Sequence, residues 1–526
     1  MRFKANISVA ALCCVFLMSV MLAFAACDKN RKEPEYIPNP VVEISFDRFQ
    51  GDGVLLSVRS INTDAVYGIA RKMSEPAPEA EEIVEEGTSV EDGDLFIGGL
   101  EKEVEYTVYA VGVREGRCGK VASVSFKTPS LYSWEIERTE IPFFADLDLL
   151  PGGVTKKQPS TWDEQRLLPH VTFTDETGKE QWLHEAFLLI GGEDASSNSV
   201  LCIPDGKEKS ADQKAWKDFA DYWLKDGGVV DVLDQTIANA AARIGSPSFR
   251  HSVVITMPDP VMLEYFSDKN SSTSYWGELY GRRLDFRNVS DQILAYTWYI
   301  DYVREAWEKA SPENLELAGF YILSEILVAK PDGWNYQYKR WDQILPSVSA
   351  YLHERRYGLH WIPYYQADGY DMTAELGIDY TWLQPNKYWD YPEKKQKKEW
   401  SWVFNTMNMY GHGMEIEFEG SHGEPGWSQY ESGVPRTSSS ILETVRTSND
   451  AEGTPKGQPN PQAARNKQLL RDYMQEFKRA GCYGKARIAT YSGTNAMYEL
   501  ATSPDQKDRE MYLEYCRFIV ENPLRK

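Results

Sequence analysis

From residue 186 to residue 491, short apolar segments alternate regularly with longer helical ones. The helical text includes Val229–Ile244 and Gln292–Ala310. Strands that alternate with helices pair in parallel, so the pattern predicts an α/β domain, and a closed (β/α)8-like TIM barrel accommodates it better than an open sheet. An eighth strand is missing: Val171–Phe173 supplies it, or the barrel is irregular. The seven candidate strands are Ala186–Ile190, Ser252–Met257, Glu316–Leu323, Leu359–Tyr364, Tyr380–Gln384, Met414–Phe418 and Ala486–Tyr491.

The segment before this domain has a different pattern. Between Val41 and Thr128 the sequence consists of short alternating or apolar runs separated by Gly, Asp and Pro, which predicts an all-β sandwich. The stretch from Leu100 to Tyr106, followed by Thr-Val-Tyr-Ala-Val, resembles the tyrosine corner of fibronectin type III domains. The resemblance implies a fibronectin III-like module, which serves either as a spacer or as a ligand-binding domain.

The N-terminus has the pattern of an export signal. Arg2 and Lys4 precede an apolar run, Ile7–Ala26, that ends in small residues directly before Cys27. This arrangement resembles the lipobox of bacterial lipoproteins, in which the cysteine is lipidated and becomes the mature N-terminus. The alternative is a transmembrane anchor, since about 20 apolar residues can span a bilayer. We expect a lipid-anchored protein, exported to the periplasm or the cell surface.

Composition limits the partners of the chain. Its 57 basic and 79 acidic residues give a formal net charge of −22, which repels phosphate backbones and excludes nucleic acid as the main partner. The 16 Trp and 31 Tyr residues are a heavy aromatic load. Aromatic rings cover the apolar faces of sugars well, although most rings in any protein are core.

Glutamates mark the ends of two predicted strands. The run Leu317–Ser324 is apolar and leads into Glu325, and Met414–Glu419 alternates apolar residues with Glu415, Glu417 and Glu419. The apolar face of the second strand must pack against the helices, so its glutamates point into the barrel. Like charges inside a core are costly, and they persist where they are used, paired or solvated. For Glu415 we favour pairing with an interior base such as Arg487.

Two carboxylates facing each other across a barrel mouth are the requirement for glycoside hydrolysis. Glu325 and Glu417 lie on strands three apart in the series, at the end of the barrel where catalytic residues collect. The apolar surroundings of Glu325 favour its protonated form, which suits an acid/base catalyst, whereas Glu417 is the expected nucleophile. Glu419 is the rival nucleophile and otherwise contributes to substrate binding.

The stretch from Trp182 to Thr494 resembles the uncharacterised domain-of-unknown-function family 4855, whose members are glycosidase-like barrels. The placement of Glu325 and Glu417 is also similar to that of a large group of retaining glycosidases, with Ser324 in place of the asparagine that precedes the acid in that group. The segments that carry the family resemblance are Gly319–Glu325, His360–Tyr365, Asp368–Asp371, Leu376–Asn386, Gly411–Gly420 and Ala486–Thr494.

Further side chains are candidates for a sugar-binding site. These candidates are Asp259, Tyr321, Tyr365, Trp382, Gln384, Asn386 and Glu419, with Trp389 and Trp427 as additional aromatic platforms. His412 and His422 flank the glutamate strand, but no HxH or HExxH spacing accompanies them, so we expect neither a metal nor a cofactor. The Gly- and Pro-rich run 419–462 is either a lid over the mouth or a disordered insertion.

Together these features predict a multidomain chain: a signal peptide (1–26), a tether (27–39), a fibronectin III-like sandwich (40–129), a transition segment (130–181) and a (β/α) barrel (182–526). The favoured function is a retaining glycoside hydrolase acting on a polysaccharide or glycan. The alternative is a non-catalytic glycan-binding lipoprotein built on a degenerate barrel.

Overall fold

The computed structural model describes most of the chain from residue 39 onwards. The described ranges are 39–50, 53–90, 93–128, 141–152, 162–191, 211–260, 276–286, 288–327, 340–365, 367–387, 399–417, 441–444, 457–493 and 495–525. Cys27, Trp389, Glu419, His422 and Trp427, which the sequence analysis singles out, lie outside these ranges.

The N-terminal part consists of antiparallel sheets. One sheet has the order β1-β2-β5, and the other has the order β4-β3-β6-β7 with β8 on the free edge of β6. Buried side chains of both sheets form one apolar cluster, in which the rings of Phe46 and Phe126 lie 5.8 Å apart. The backbone N–H of Glu101 donates a hydrogen bond of 3.2 Å to the Tyr106 hydroxyl. The elements are β1 (Val41–Gln50), β2 (Gly53–Ile61), β3 (Ala65–Lys72), α1 (Ala80–Glu86), β4 (Thr88–Ser89), β5 (Asp94–Ile97), β6 (Glu105–Arg114), β7 (Arg117–Cys118) and β8 (Ala122–Lys127).

The C-terminal part is a closed barrel of eight parallel strands, in the order β9-β12-β13-β16-β17-β18-β19-β20 and back to β9. This confirms the predicted TIM-type barrel. Its strands are β9 (Asp146–Pro151), β12 (Ala186–Ile190), β13 (His251–Met257), β16 (Leu315–Ile322), β17 (Gly358–Trp361), β18 (Tyr380–Leu383), β19 (Gly413–Glu417) and β20 (Ile488–Tyr491). Two hairpins lie outside it, formed by β10 (Thr172–Thr174) with β11 (Glu180–Trp182) and by β14 (Glu278–Leu279) with β15 (Arg282–Arg283).

Helices connect and cover the strands. Several begin where an aspartate side chain accepts a hydrogen bond from a backbone N–H of the first turn, as Asp163 does from Arg166 and Asp212 from Ala215. No helix in the described ranges is long and apolar enough to cross a membrane. The helices are α2 (Glu164–Val171), α3 (Gln213–Leu224), α4 (Val229–Ile244), α5 (Val289–Ala310), α6 (Trp341–His353), α7 (Trp400–Tyr410), α8 (Ala463–Arg479), α9 (Ala496–Ala501) and α10 (Gln506–Val520).

The missing barrel strand is β9, not Val171–Phe173, so the barrel begins near residue 146 rather than at 182. The β9 sequence alternates leucines with Asp146 and Asp148, which gives it the polarity of a loop. Both carboxylates are buried, and one oxygen of each has a close partner from another part of the chain. Asp148 contacts the His170 imidazole at 2.6 Å, and Asp146 accepts a hydrogen bond from the Glu185 N–H. A hydropathy pattern does not reveal these buried polar partners, so it could not predict the strand.

The lower interior of the barrel is filled by aromatic side chains. The His360 ring stacks on Phe144 at 5.7 Å and on Trp382 at 5.8 Å, with the planes within 14° of parallel. Gly319 leaves the room for this stack, since a Cβ there would lie 2.5 Å from His360 Nε2. The packed floor leaves only the upper mouth of the barrel for a functional site.

Candidate functional site

Three glutamates gather at the C-terminal mouth of the barrel. Glu417 is the last residue of β19, and Glu415 precedes it by two residues on the same face. Met414 and Ile416, which alternate with them, pack in the apolar cluster beneath the outer helices, so both glutamates point inward. Glu325 follows the end of β16 by three residues. The two strands are the fourth and the seventh of the barrel in chain order.

Glu415 interacts electrostatically with both Glu417 and Glu325. The Glu415 pKa is raised well above its ordinary value, first by burial and then by the negative charges of Glu417 and Glu325. Glu415 is only 3% exposed, and no Lys or Arg of the described ranges forms an ion pair with it. A buried carboxyl in this setting is protonated when its neighbours are ionised.

The predicted partner of Glu415 lies elsewhere. The Arg487 guanidinium stacks on the ring of Tyr380 at 4.0 Å and on that of Phe143 at 4.7 Å. It precedes β20 in the chain, whereas Glu415 is the middle residue of β19 and pairs in register with Ala489. The prediction that Arg487 neutralises Glu415 was therefore wrong, and Glu415 belongs to the mouth cluster.

Glu325 is accessible to solvent although protein atoms surround its carboxyl group. The Gln384 side-chain amide, just after β18, donates a hydrogen bond of 3.2 Å to Glu325 Oε1. Burial raises the Glu325 pKa, while the Gln384 hydrogen bond acts in the opposite direction. The protonated form of the Glu325 carboxyl group is therefore favoured.

Glu417 is held by a hydrogen bond from a helix outside the barrel. The Tyr473 hydroxyl, on α8, donates a hydrogen bond of 2.7 Å to Glu417 Oε2 and accepts one of 3.1 Å from the Lys387 N–H. Burial, and then the charge of Glu417, raises the Tyr473 pKa well above its ordinary value, so this hydroxyl stays protonated and remains a donor. The sequence analysis missed Tyr473, because 56 residues separate it from its partner.

Tyr321 links the two sides of the mouth. Its register partner on β17 is His360, whose ring fills the interior, so Tyr321 also points inward as expected. Burial raises its pKa, and the charges of Glu325, Glu415 and Asp259 raise it further, so all three acids lie near this hydroxyl. Asp259 is itself fixed by a hydrogen bond of 2.9 Å from the Tyr296 hydroxyl.

The aromatic candidates need one correction and one addition. Trp382 has no exposed surface because it lies between the inner rings and the β19 backbone, so it cannot be the sugar platform that we expected. Tyr365 is half-buried and contacts Trp402 edge-on. The missed residue is Tyr364, also half-buried, whose pKa is raised by burial and by the nearby charges of Asp368 and Glu325.

The remaining candidates are polar. Asn386 is half-buried and has a left-handed backbone, with φ 51°, a conformation that asparagine tolerates better than most residues. The Ser324 hydroxyl donates a hydrogen bond of 2.8 Å to the Ile326 carbonyl. His412 Nε2 contacts the Tyr370 carbonyl at 2.8 Å. Within the described ranges, no three His, Cys, Asp or Glu side chains are arranged to hold a metal ion.

Comparisons with solved structures give distant matches. A chitinase from Paenibacillus sp. str. FPU-7 shares 10% identity at a TM-score of 0.32, with coverage of 93% of this chain and 42% of that one. The Ruminococcus gnavus β-glucuronidase shares 8% identity at a TM-score of 0.30, with coverage of 86% and 62%. The chain thus spans less than two thirds of the length of either enzyme. The FN5 domain of Drosophila Lar matches 18% of this chain over 99% of its own length, with 13% identity and a TM-score of 0.15.

A comparison with curated proteins gives no significant match. A family model, described as Domain of unknown function (DUF4855), matches residues 146–434. The match begins at the first residue of β9, in agreement with the barrel boundary, and contains both Glu325 and Glu417. Because it covers more than half of the chain, the protein belongs to the DUF4855 family.

Proposed function

We propose that this protein is a glycoside hydrolase in which Glu325 is the acid/base and Glu417 is the nucleophile. The observation that supports this most directly is the interacting set of carboxyl groups at the barrel mouth, contributed by the fourth and seventh strands. Cleavage of a glycosidic bond needs one protonated and one ionised carboxyl group on opposite sides of the bond.

The surroundings of the two glutamates suit these separate roles. Glu325 is accessible, favours its protonated form and is oriented by Gln384, as a proton donor to a leaving oxygen requires. Glu417 is buried and accepts a charge-assisted hydrogen bond from Tyr473, which stabilises the ionised form that attacks an anomeric carbon. A retaining mechanism further predicts that the two carboxyl groups lie about 5–5.5 Å apart, whereas about 6.5–9.5 Å would indicate inversion.

A second function is a glycan-binding protein that has lost catalysis. The observation in its favour is Ser324, which precedes Glu325 at the position where the similar glycosidases have an asparagine. Its hydroxyl donates a hydrogen bond to the Ile326 carbonyl. A binding protein and an enzyme both need Tyr364 and Asn386, but only the enzyme needs both Glu325 and Glu417.

We also propose an anchored, extracytoplasmic arrangement. Cys27 would carry the lipid, residues 27–39 would form the tether, and a fibronectin III-like module would raise the barrel above the membrane. The paired antiparallel sheets and the hydrogen bond from Glu101 to the Tyr106 hydroxyl support this type of module. Its contact with the barrel, where Phe46 and Phe126 lie near Ile293 and Tyr351 of the outer helices, favours a spacer role.

The function is tested by incubating the purified chain with a panel of polysaccharides and aryl glycosides and measuring released reducing ends or aglycone. We expect turnover of at least one substrate, and loss of that turnover in Glu417→Gln with glycan binding retained. Binding without turnover across the panel, unchanged by substitution of either glutamate, would favour the binding protein.

A further inference from the structure

Glu415 is an unused carboxyl group within a site that already has its two catalytic acids. It is 3% exposed and lies on the inward face of β19, one side-chain position below Glu417. Its interactions with Glu417 and Glu325 are repulsive, and within the described ranges it has neither a hydrogen-bond donor nor a basic side chain as a partner. Buried polar groups in folded proteins are normally hydrogen-bonded, so such a group requires an explanation.

Structural explanations for Glu415 fail in turn. It does not neutralise Arg487, which stacks on Tyr380 and Phe143. It does not join a metal cluster within the described ranges. The charge of Glu415 acts on the neighbouring Tyr321 hydroxyl, together with those of Glu325 and Asp259, so Glu415 lies near Tyr321 on the inward side of the barrel wall. A carboxyl group in this position meets whatever enters the mouth.

We infer that Glu415 is a specificity-determining residue that accepts a hydrogen bond from the bound sugar ring, and that this position takes an uncharged or cationic sugar but not an acidic one. The inference rests on the proposed function and names its substrate class. The group that meets Glu415 is a hydrogen-bond donor, either a hydroxyl or the ammonium of an amino sugar. Within the described ranges no basic side chain pairs with Glu415 or Glu325, so a sugar carboxylate or sulfate would add a further negative charge beside them.

The raised pKa of Glu415 agrees with this role. A protonated carboxyl group both donates and accepts hydrogen bonds, so it can pair with a sugar hydroxyl. When the partner is an ammonium group instead, the carboxyl group ionises. The Lys387 ammonium lies over the ring of Trp400, 4.8 Å from the centroid, and forms no ion pair with Glu415.

The test measures binding separately from hydrolysis. Matched non-hydrolysable thioglycosides of glucose, glucuronic acid and 2-amino-2-deoxyglucose, with the galacto and manno series, are titrated against the full chain by NMR or calorimetry. We expect the neutral or amino member of at least one series to bind at least about tenfold more tightly than its uronic counterpart. Glu415→Leu should weaken that binding by about tenfold or more.

Glu415→Gln separates the two donors. The amide keeps the shape and the hydrogen-bonding capacity of the neutral acid, so binding of a hydroxyl should change little, whereas binding of an ammonium should be lost. Glu185→Gln is the matched control, since Glu185 is a buried glutamate whose carboxylate accepts a hydrogen bond from the Ala145 N–H outside the mouth. It should leave every affinity unchanged.

Three binding results would overturn the inference: preferential binding of a uronic member, no binding by any member, or unchanged affinities in both Glu415 variants. Hydrolysis of the corresponding oxygen glycosides is assayed separately. Turnover of a uronide would overturn the inference while upholding the proposed function. The expected binding pattern without turnover of any substrate would uphold the inference and overturn the proposed function.

Discussion

The Tyr473 hydroxyl donates a hydrogen bond of 2.7 Å to Glu417 Oε2, and this contact joins the helix α8 to the end of β19. The same hydroxyl accepts the Lys387 N–H, so its orientation is fixed from two sides. The contact thus ties the direction of the proposed nucleophile to a helix outside the site.

Tyr473→Phe tests this contact. The change removes the donor to Glu417, and hydrogen bonds to charged groups contribute about 1.5–3 kcal/mol, so turnover should fall by about tenfold to a hundredfold. Tyr512→Phe is the control, because the Tyr512 hydroxyl is equally buried and donates to the Pro169 carbonyl at 2.8 Å, away from the mouth. Both variants should lose similar stability in urea unfolding. Equal turnover in the two would contradict the role of Tyr473.

Glu325→Ala tests the proton donor. An activated aryl glycoside needs little protonation of its leaving group, so the variant should still form the covalent intermediate, stall there, and regain turnover when azide is added. Burst kinetics with and without azide measure this. The control is Glu316→Ala on the same strand, where the glutamate accepts a hydrogen bond from Ser252 at 2.9 Å. Rescue of Glu316→Ala by azide, or failure of azide to rescue Glu325→Ala, would contradict the acid/base role of Glu325.

The nucleophile prediction separates Glu417 from Glu419. Glu417→Gln should abolish turnover yet leave glycan binding, because an amide cannot attack an anomeric carbon. Glu419→Gln should retain most activity. Trapping the intermediate with a 2-fluoro glycoside and locating the label by mass spectrometry gives an independent answer. A label on Glu419 would move the nucleophile by two residues.

Buried histidines predict loss of stability in acid. Burial lowers the pKa of His184 to about 4 and those of His251 and His360 to about 3. Below pH 6.5 the unfolded chain therefore binds more protons than the folded chain does. The contribution of these histidines to the free energy of unfolding is complete above that pH and is lost as the pH falls towards 4. The pKa of Asp146, raised to about 7 chiefly by burial, acts in the opposite direction, since its contribution falls as the pH rises.

His360→Phe isolates one of these groups while keeping the stack on Phe144 and Trp382. Asp379 and Arg487, which act on the His360 charge in opposite directions, remain in place. The difference in unfolding free energy between about pH 7.5 and about pH 5 should shrink by about 2 kcal/mol, because one histidine no longer has to be protonated on unfolding. Chemical denaturation at both pH values measures this. An unchanged difference would show that His360 is already protonated when folded.

The anchor prediction concerns Cys27. Expressed in a bacterial host with a lipoprotein pathway, the full chain should partition with membranes, and Cys27→Ser should leave the leader uncleaved or release the protein. Fractionation and mass spectrometry of the mature N-terminus measure this. Recovery of the unsubstituted chain wholly in the soluble fraction would contradict the proposal.

The sequence by itself determined the barrel and the strand ends that carry acids. Seven of its eight strands could be predicted, because an apolar run between helical segments requires burial on both faces whatever surrounds it. The inward direction of Glu415 and Glu417 also followed locally, since Met414 and Ile416 needed the opposite face. These features depend on neighbouring residues alone, so a linear pattern contains them.

Only the tertiary structure decided which polar residues found partners. In β9, His170 and the Glu185 N–H each bind one oxygen of a buried aspartate, and Trp382 is buried because the rings of His360 and Phe144 fill the barrel beneath the mouth. Tyr473 reaches Glu417 across 56 residues, and Arg487 stacks on Tyr380 instead of pairing with Glu415. The energy of a buried charge depends on the atoms within a few ångströms of it, and those atoms come from distant parts of the chain. Hydrophobic periodicity therefore placed the glutamates in the mouth, and folding alone determined that Glu325 and Glu417 have hydrogen-bond partners, whereas Glu415 has none among the described residues.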